Sequence, residues 1–438
     1  MKKSHSKKNI LFITTNRSEY GLQRDLIKEF KKKNNFNTKV VVAGSHLLKK
    51  FGKTIDEIKK DKIKIFSIIK LNIKNDDPYD ISLFNQKLGI EINKIFSKSK
   101  IDLLFLLGDR SEILNIAGIA KVYNIPIAHL HGGETTQAAI DDSIRDSVSK
   151  LSDYHFVSHD KYRSKLLRMN INKESIFTVG GLGASRIERE KFINKKKVCK
   201  YIGLDEKKKI IIASFHPVTL ENKKTYDYFR NLISALSEFN NLNIVITSPN
   251  FDVNYGKIYK LLYNFIKKNK NVYYVKSLGS ELYFSLLKIS SGIVGNSSSG
   301  ILEAPSFNIG TVNIGNRQKG RIQSNSVVNC NAIKEEIIVS INKILYDSKF
   351  LNKIKVLNNP YFKYKTEQNI VNITNKLMMS KNFNHNLNKN KNLGNSNNKI
   401  KNIIINKKLL RILKKTKNPY YLTDIKKKIE KNISQLLN

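Results

Sequence analysis

The stretch Ile101-Asp102-Leu103-Leu104-Phe105-Leu106-Leu107-Gly108-Asp109-Arg110 joins a short, almost wholly apolar run to a glycine, a carboxylate and a guanidinium. Such a run reads as a strand buried in a parallel sheet. In open parallel sheets the chemistry gathers just past the carboxyl ends of the strands. Working outward, comparable runs lie at 9–14 and 38–42 before it, and at 125–130, 154–157 and 176–179 after it. A second series follows at 209–214, 242–247, 271–275, 292–294 and 310–314. Stretches of helical period separate them, among them 20–33, 112–123, 142–151, 225–239 and 300–304. This alternation predicts an α/β chain of two doubly wound, Rossmann-like units in tandem. A length of 438 residues, too great for one ordinary core, suits that reading. The units are expected at 9–185 and 195–378, with the boundary between 183 and 200. From 379 to 438 the composition turns to Asn, Lys and Ser with few acids, which reads as a low-complexity linker and basic tail.

The formal charge of +43 would suit a polyanion partner. However, the lysines are spread along the whole chain beside abundant Asn and Ile, as biased genome composition produces, and no nucleic-acid recognition motif accompanies them. No nucleic-acid partner is therefore expected. Two cysteines, Cys199 and Cys330, lie far apart without metal spacing, so neither a disulfide framework nor a zinc site is signalled. No apolar run reaches spanning length, and the apolar stretch behind the basic N-terminus is too short for a signal core. A cytoplasmic protein is expected.

The residues just past the apolar runs carry the chemistry. They are Asn16-Arg17-Ser18-Glu19-Tyr20-Gly21, Gly44-Ser45-His46, Gly108-Asp109-Arg110 and His131-Gly132-Gly133-Glu134 in the first half. The second half offers Phe215-His216-Pro217, Ser248-Pro249-Asn250 and Gly295-Asn296-Ser297-Ser298-Ser299-Gly300. Carboxylates gather in the first half, and groups suited to phosphate in the second. The Gly295 to Gly300 loop can admit an anion to backbone N–H groups, or simply cap a helix. Arg317 and Arg321 after the last run favour the anion, since guanidinium forks match diphosphate. Glu303 can accept ribose hydroxyls or merely suit a helix dipole. Asp109 reads either as a helix cap or as a catalyst. Glu134, Asp141 and Asp142 can approach it across one cleft, where neighbouring carboxylates separate their pKa values, or Asp141 and Asp142 can form a solvated helix start. His216 can reach a phosphate or a sugar hydroxyl, or be a buried structural histidine. No D-x-D pair signals a metal-bridged diphosphate, and neither a metal nor a cofactor is expected.

Taken in order, these segments, with Ile140-Asp141-Asp142-Ser143-Ile144-Arg145, His216-Pro217-Val218-Thr219 and Gly315-Asn316-Arg317-Gln318, resemble the hydrolysing UDP-N-acetylglucosamine 2-epimerases over residues 9 to 378. The resemblance implies a GT-B fold with the sugar and its carboxylates on the first domain and the nucleotide on the second. It implies acid/base roles for Asp109, Glu134, Asp141 and Asp142, with His216 assisting. It further implies substrate and UDP contacts from Arg17, His46, Arg110, Asn250, Asn296, Ser297, Ser298, Glu303, Arg317 and Arg321. Some members carry a carboxylate where this chain has His131, which leaves one acid role between His131 and Glu134. The implied reaction expels UDP from UDP-N-acetylglucosamine by elimination to a glycal, then hydrates the glycal to N-acetylmannosamine, a step of sialic acid synthesis. Alternatives are the same reaction on a UDP-2,4-diacetamido-6-deoxy sugar, on the way to legionaminic acid, and a non-hydrolysing epimerase returning UDP-N-acetylmannosamine. A homo-oligomer is expected.

Overall fold

The computed structural model describes residues 6–48, 53–71, 75, 77–136, 140–218, 221, 224–248 and 255–380. Described residues through Val371 belong to one compact unit that holds two sheets. The first comprises β1 (Lys8–Thr14), β2 (Phe36–Val42), β3 (Ile65–Ile68), β4 (Leu103–Leu107), β5 (Ile127–Leu130), β6 (Tyr154–Val157) and β7 (Ile176–Thr178). The second comprises β8 (Ile210–Ser214), β9 (Asn243–Thr247), β10 (Val272–Val275), β11 (Gly292–Gly295), β12 (Gly310–Ile314) and β13 (Val327–Cys330). Their orders are β3-β2-β1-β4-β5-β6-β7 and β10-β9-β8-β11-β12-β13, and every pairing is parallel. This is the expected pair of Rossmann-like sheets, the GT-B architecture.

The central strands are the ones legible as apolar runs. Leu103 to Leu107 is buried throughout, and Phe12 of β1 stacks on Phe105 of β4 at 4.8 Å between ring centroids. The edge strands β3 and β13 add to the expected set. Both are partly exposed along their length, so neither carries the run of buried apolar side chains by which the others were read. A helix over Pro78–Lys98 is a further addition; Asp77 caps it, accepting the Asp80 N–H at 2.8 Å, and it buries Phe84, Leu88, Ile92 and Phe96 on one face.

In each sheet the strand order reverses beside the first strand, between β1 and β4 and between β8 and β11. Crevices open at such switch points, so the loops after these four strands are where a ligand fits. After β13 the chain returns to the first half. The Gly181 N–H donates to the Tyr361 carbonyl at 2.8 Å, and the Thr366 hydroxyl to the Val179 carbonyl at 2.7 Å. The expected linker and basic tail lie outside the described residues beyond Ser380.

Candidate functional site

A cavity opens beyond β1, β4 and β5. Asp109, Glu134 and Asp141 line it together with Glu19, Arg110 and Arg145. Arg145, on the helix Asp141–Leu151, organises these carboxylates although it is almost fully buried. Its Nη1 donates to Asp142 Oδ1 at 3.0 Å and to the Glu134 carbonyl at 2.8 Å. Its Nη2 reaches the Thr136 hydroxyl at 3.1 Å and pairs with Asp109. Burial, with Arg321 nearby, draws this guanidinium down to about 9, so it remains charged at neutral pH. Asp109 is therefore an ion-pair partner and not a helix cap: Arg110 occupies the cap position of the helix Ser111–Val122 and makes no side-chain capping bond. Nor is Asp142 a solvated helix start, since Thr136 N–H and Arg145 both bind its Oδ1; burial raises its carboxyl above the ordinary value.

Glu134 is buried and fully engaged. Its Oε1 accepts His131 Nδ1–H at 2.8 Å and the Ser158 hydroxyl at 2.7 Å, and its Oε2 lies 3.1 Å from Arg321 Nη2. Burial alone would raise this carboxyl, but Arg321 and His131 outweigh it and hold it down to about 2. At His131 Nε2 the Leu182 N–H donates at 3.3 Å, which fixes the tautomer with hydrogen on Nδ1. His131 takes a left-handed backbone, φ 63°, a conformation costly for a side chain with a Cβ and characteristic of constrained functional sites. Of His131 and Glu134, the glutamate is thus the one held as an anion.

A second carboxylate cluster stands in the wall. Thr15 N–H donates to Glu19 Oε2 at 2.7 Å, and Thr15 Oγ1 lies 3.1 Å from Glu19 Oε1 and 2.8 Å from Glu112 Oε1. Arg110 Nε donates to that same Glu112 oxygen at 2.9 Å. Burial and the neighbouring Glu112 push the Glu19 carboxyl up to about 7. Glu112 is also buried, yet Arg110 draws its carboxyl below the ordinary value.

The second cavity opens beyond β8 and β11, lined by Arg17, His216, Ser297, Ser298, Tyr283 and Glu303 among others. Ser18, Leu22, Ser298 and Arg317 line both cavities, so the two are contiguous. The path is set by a close approach of β8 and β11. Gly295 has φ +136°, and a Cβ there would meet the Ser214 carbonyl oxygen at 2.0 Å, so only glycine fits. Next to it Asn296 clamps the start of the His216 loop, accepting His216 N–H at 2.7 Å and donating to its carbonyl at 2.8 Å. Burial and the surrounding Arg317, Arg17 and Arg110 hold His216 neutral, well below the ordinary histidine value. Arg17 and Arg317 line this cavity beside the neutral imidazole, with Arg110 in the adjoining one, a setting that suits an anion. The helix after the serine loop spans only Ser299–Leu302, so anion affinity here rests on arginines and hydroxyls more than on a helix dipole. Burial raises the Glu303 carboxyl.

Among the described residues, three expected ones do not line these cavities: His46, Asn296 and Asp142, whose Oδ1 is taken by Thr136 N–H and Arg145. His46 is fully buried beneath the β2 loop, with Nε2 2.9 Å from Thr14 Oγ1 and Nδ1 2.7 Å from Thr54 Oγ1; burial lowers it to about 3. Its two ring nitrogens serve the fold, which corrects the expectation that it touches substrate. Asn296 is likewise spent, its side chain holding the His216 backbone. Asn250 lies outside the described residues. Arg321 lines the carboxylate cavity and pairs with Glu134, while its Nη1 is buried without an acceptor among the described residues. Arg145 and Glu19 were not singled out as site residues. Burial of an arginine and of a glutamate three residues past Asn16 is a tertiary fact, and no spacing rule announces it.

A family model described as UDP-N-acetylglucosamine 2-epimerase matches residues 28–375. The chain is 36% identical over 324 residues to the GDP/UDP-N,N'-diacetylbacillosamine 2-epimerase (hydrolyzing) of Campylobacter jejuni, covering 74% of this chain and 84% of that protein. It is 34% identical over 378 residues to the polysialic acid biosynthesis protein P7 of Escherichia coli, covering 86% and 95%. In fold it is similar to the crystal structure of UDP-GlcNAc 2-epimerase from Neisseria meningitidis bound to UDP-GlcNAc, with TM-score 0.71 and 17% identity, covering 84% of this chain and 100% of that one.

Proposed function

Because the chain belongs to the UDP-N-acetylglucosamine 2-epimerase family, we propose that it is a hydrolysing UDP-N-acetylglucosamine 2-epimerase, converting UDP-N-acetylglucosamine and water to N-acetylmannosamine and UDP. The observation that carries this reading is the contiguity of the two cavities through Ser18, Leu22, Ser298 and Arg317. A diphosphate at that junction leaves the sugar among carboxylates and the nucleoside beside Tyr283 and Glu303. Arg17, Arg317, Ser297 and Ser298 bind UDP, Glu303 accepts ribose hydroxyls, and Arg110 and Arg321 reach toward the sugar and its phosphate. His216, neutral, donates a hydrogen bond there. The division into 9–185 for the sugar, 195–378 for the nucleotide and 379–438 as an appended tail follows from this assignment.

In the reaction Asp109, held on Arg145, takes the C2 proton while the C1–O bond breaks and its electron pair leaves with UDP. The arginines stabilise the charge that develops on the leaving diphosphate. Water then adds at C1 of the glycal and a proton returns to C2 from the opposite face, with Asp141 the acid at hand in the cavity lining. Glu134, held as an anion, favours the positive charge that builds on the sugar ring. The test is turnover in deuterated water: deuterium at C2 of the released sugar is expected, and full retention of the C2 hydrogen would refute the elimination.

A second reading, the same reaction on a UDP-2,4-diacetamido-6-deoxy sugar, is favoured by one observation. Ile81, Ile140 and Ile144 line the carboxylate cavity and offer apolar contacts to a 6-methyl group. Incubation with both sugar nucleotides, followed by NMR of the products, decides between them. Return of UDP-N-acetylmannosamine in place of free sugar would instead make the enzyme non-hydrolysing. We place the reaction in the cytoplasm, whose reducing conditions suit the free thiols of Cys199 and Cys330. We expect a homo-oligomer, which sedimentation tests. Among the described residues no helix is long and apolar enough to cross a membrane.

A further inference from the structure

Thr15 Oγ1 faces three carboxylate oxygens, Glu19 Oε1 at 3.1 Å, Glu19 Oε2 at 3.0 Å and Glu112 Oε1 at 2.8 Å. A threonine hydroxyl carries one hydrogen, so it donates to one carboxylate and turns lone pairs to the other. Glu112 is the acceptor, because its Oε1 is the nearest of the three and is already held by Arg110 Nε at 2.9 Å. Glu19 then faces lone pairs, and with both glutamates only 5% exposed an ionised carboxylate there would meet repulsion that burial leaves poorly screened.

We propose that Glu19 is held as a neutral carboxylic acid and acts as a positioning residue for Arg110. Its Oε1–H donates to Thr15 Oγ1, the Thr15 hydroxyl donates to Glu112, and the ionised Glu112 fixes the guanidinium that lines the sugar cavity. Backbone geometry agrees, since Glu19 Oε2 accepts Thr15 N–H at 2.7 Å as the carbonyl oxygen of an acid would. The charged groups facing Glu19 are Glu112 and Arg110 from the start of the helix Ser111–Val122, with Asp109, Asp141 and Arg145 in the same cavity lining. Arg17 is on its own helix, Arg317 lines the cavity from the second half, and Glu134 there is matched by Arg321. Loss of the Glu19 proton places a second anion against Glu112 and breaks the relay at Thr15. Arg110, attracted by both anions, is then divided between Glu112 and Glu19 and shifts from its place in the cavity lining.

The assignment of Arg110 to substrate rests on the proposed function, so the test has one arm without turnover. Infrared titration of the ligand-free full chain should show a carboxylic acid band at pH 6 that fades as pH rises past about 7 and is absent from Glu19→Gln. No difference between the two proteins would overturn the protonation. In the turnover arm, Glu19→Ala should lower kcat/KM by ~100-fold, the cost of a ~1 Å misplacement. Glu19→Gln, whose amide donates to Thr15 Oγ1 while its carbonyl accepts Thr15 N–H, should recover most of that loss. It should also abolish an alkaline limb that in the parent protein falls ~10-fold per pH unit. Failure of Gln to rescue in a folded protein with unchanged UDP affinity would overturn the proposal, as would an unchanged pH profile. A parent protein inert toward both sugar nucleotides would overturn the function, and the infrared arm would then decide the protonation alone.

Discussion

Replacing Glu134 by Gln tests whether the two halves are joined electrically. The carboxylate is 2% exposed, and Arg321, which pairs with it at 3.1 Å, comes from the loop after β12 in the other sheet. The fall of the Glu134 carboxyl from 4.5 to about 2 corresponds to about 3 kcal/mol of stability at neutral pH. A carboxyl depressed in the folded state contributes in full above its unfolded value, and the contribution disappears as pH falls from 4.5 toward about 2. The amide of Gln keeps the volume but removes the charge, leaving the Arg321 guanidinium buried without its counter-ion. Breaking a buried pair from one side costs about 3–5 kcal/mol. Urea unfolding at pH 7 should therefore show the variant less stable by about 3 kcal/mol or somewhat more, a gap that narrows progressively below pH 4.5 as the parent protein protonates. Equal stability at pH 7, or a gap that stays constant down to pH 3, would refute the reasoning.

Asp109→Asn should lower turnover by roughly 100- to 10,000-fold, the range of a general base, and leave UDP affinity nearly unchanged, as single-turnover kinetics beside calorimetry would show. Arg317→Ala should weaken UDP more than Ser298→Ala does, because the serine offers a neutral hydrogen bond worth about 0.5–1.5 kcal/mol and the guanidinium makes charge-assisted bonds roughly twice as strong. Lysine at 317 should restore only part of the affinity, since it lacks the planar fork; calorimetric titration with UDP checks both variants. Removing the chain from Ser380 onward should leave kcat/KM within about twofold, because every described residue lining either cavity lies before it.

The strand-end residues of the first half were legible because two rules fix them together. An apolar run such as Leu103 to Leu107 can only be a buried strand, and whatever follows it in a parallel sheet faces the crevice. Asp109, Arg110 and Glu134 came to the cavity on that logic alone, as did His216, Ser297 and Ser298 in the second half. His46 shows where the logic stops. It too follows a strand, but β2 is one place removed from the β1–β4 switch point, and its loop folds into the core, where Thr14 and Thr54 consume both ring nitrogens. Position along the sequence gives the end of a strand and not its distance from the switch point.

What the sequence withheld most completely is the counter-charge. Read residue by residue, Asp109, Asp142 and Glu134 suggest an anionic cleft, an unfavourable place to bring a diphosphate. In the fold each is met by a buried guanidinium: Arg145 for the two aspartates and Arg321 for the glutamate. Arg145 lies on a helix start that also carries Asp141 and Asp142, where local rules predict only dipole compensation. Its role depends on Gly108-Asp109 arriving from a strand 36 residues earlier. Arg321 arrives from the other sheet altogether. Neutralisation of the carboxylates by arginines has a chemical consequence. Under the proposed function the cleft can hold proton-transfer groups close together without repelling an anionic substrate, and Arg317, which lines both cavities 3.8 Å from Asp141, neutralises the junction proposed for the diphosphate. On the proposed function, acid/base chemistry and anion binding, which composition sorts into opposite halves of the chain, are made compatible by Arg145 within the first half and by Arg317 and Arg321 reaching its carboxylates from the second.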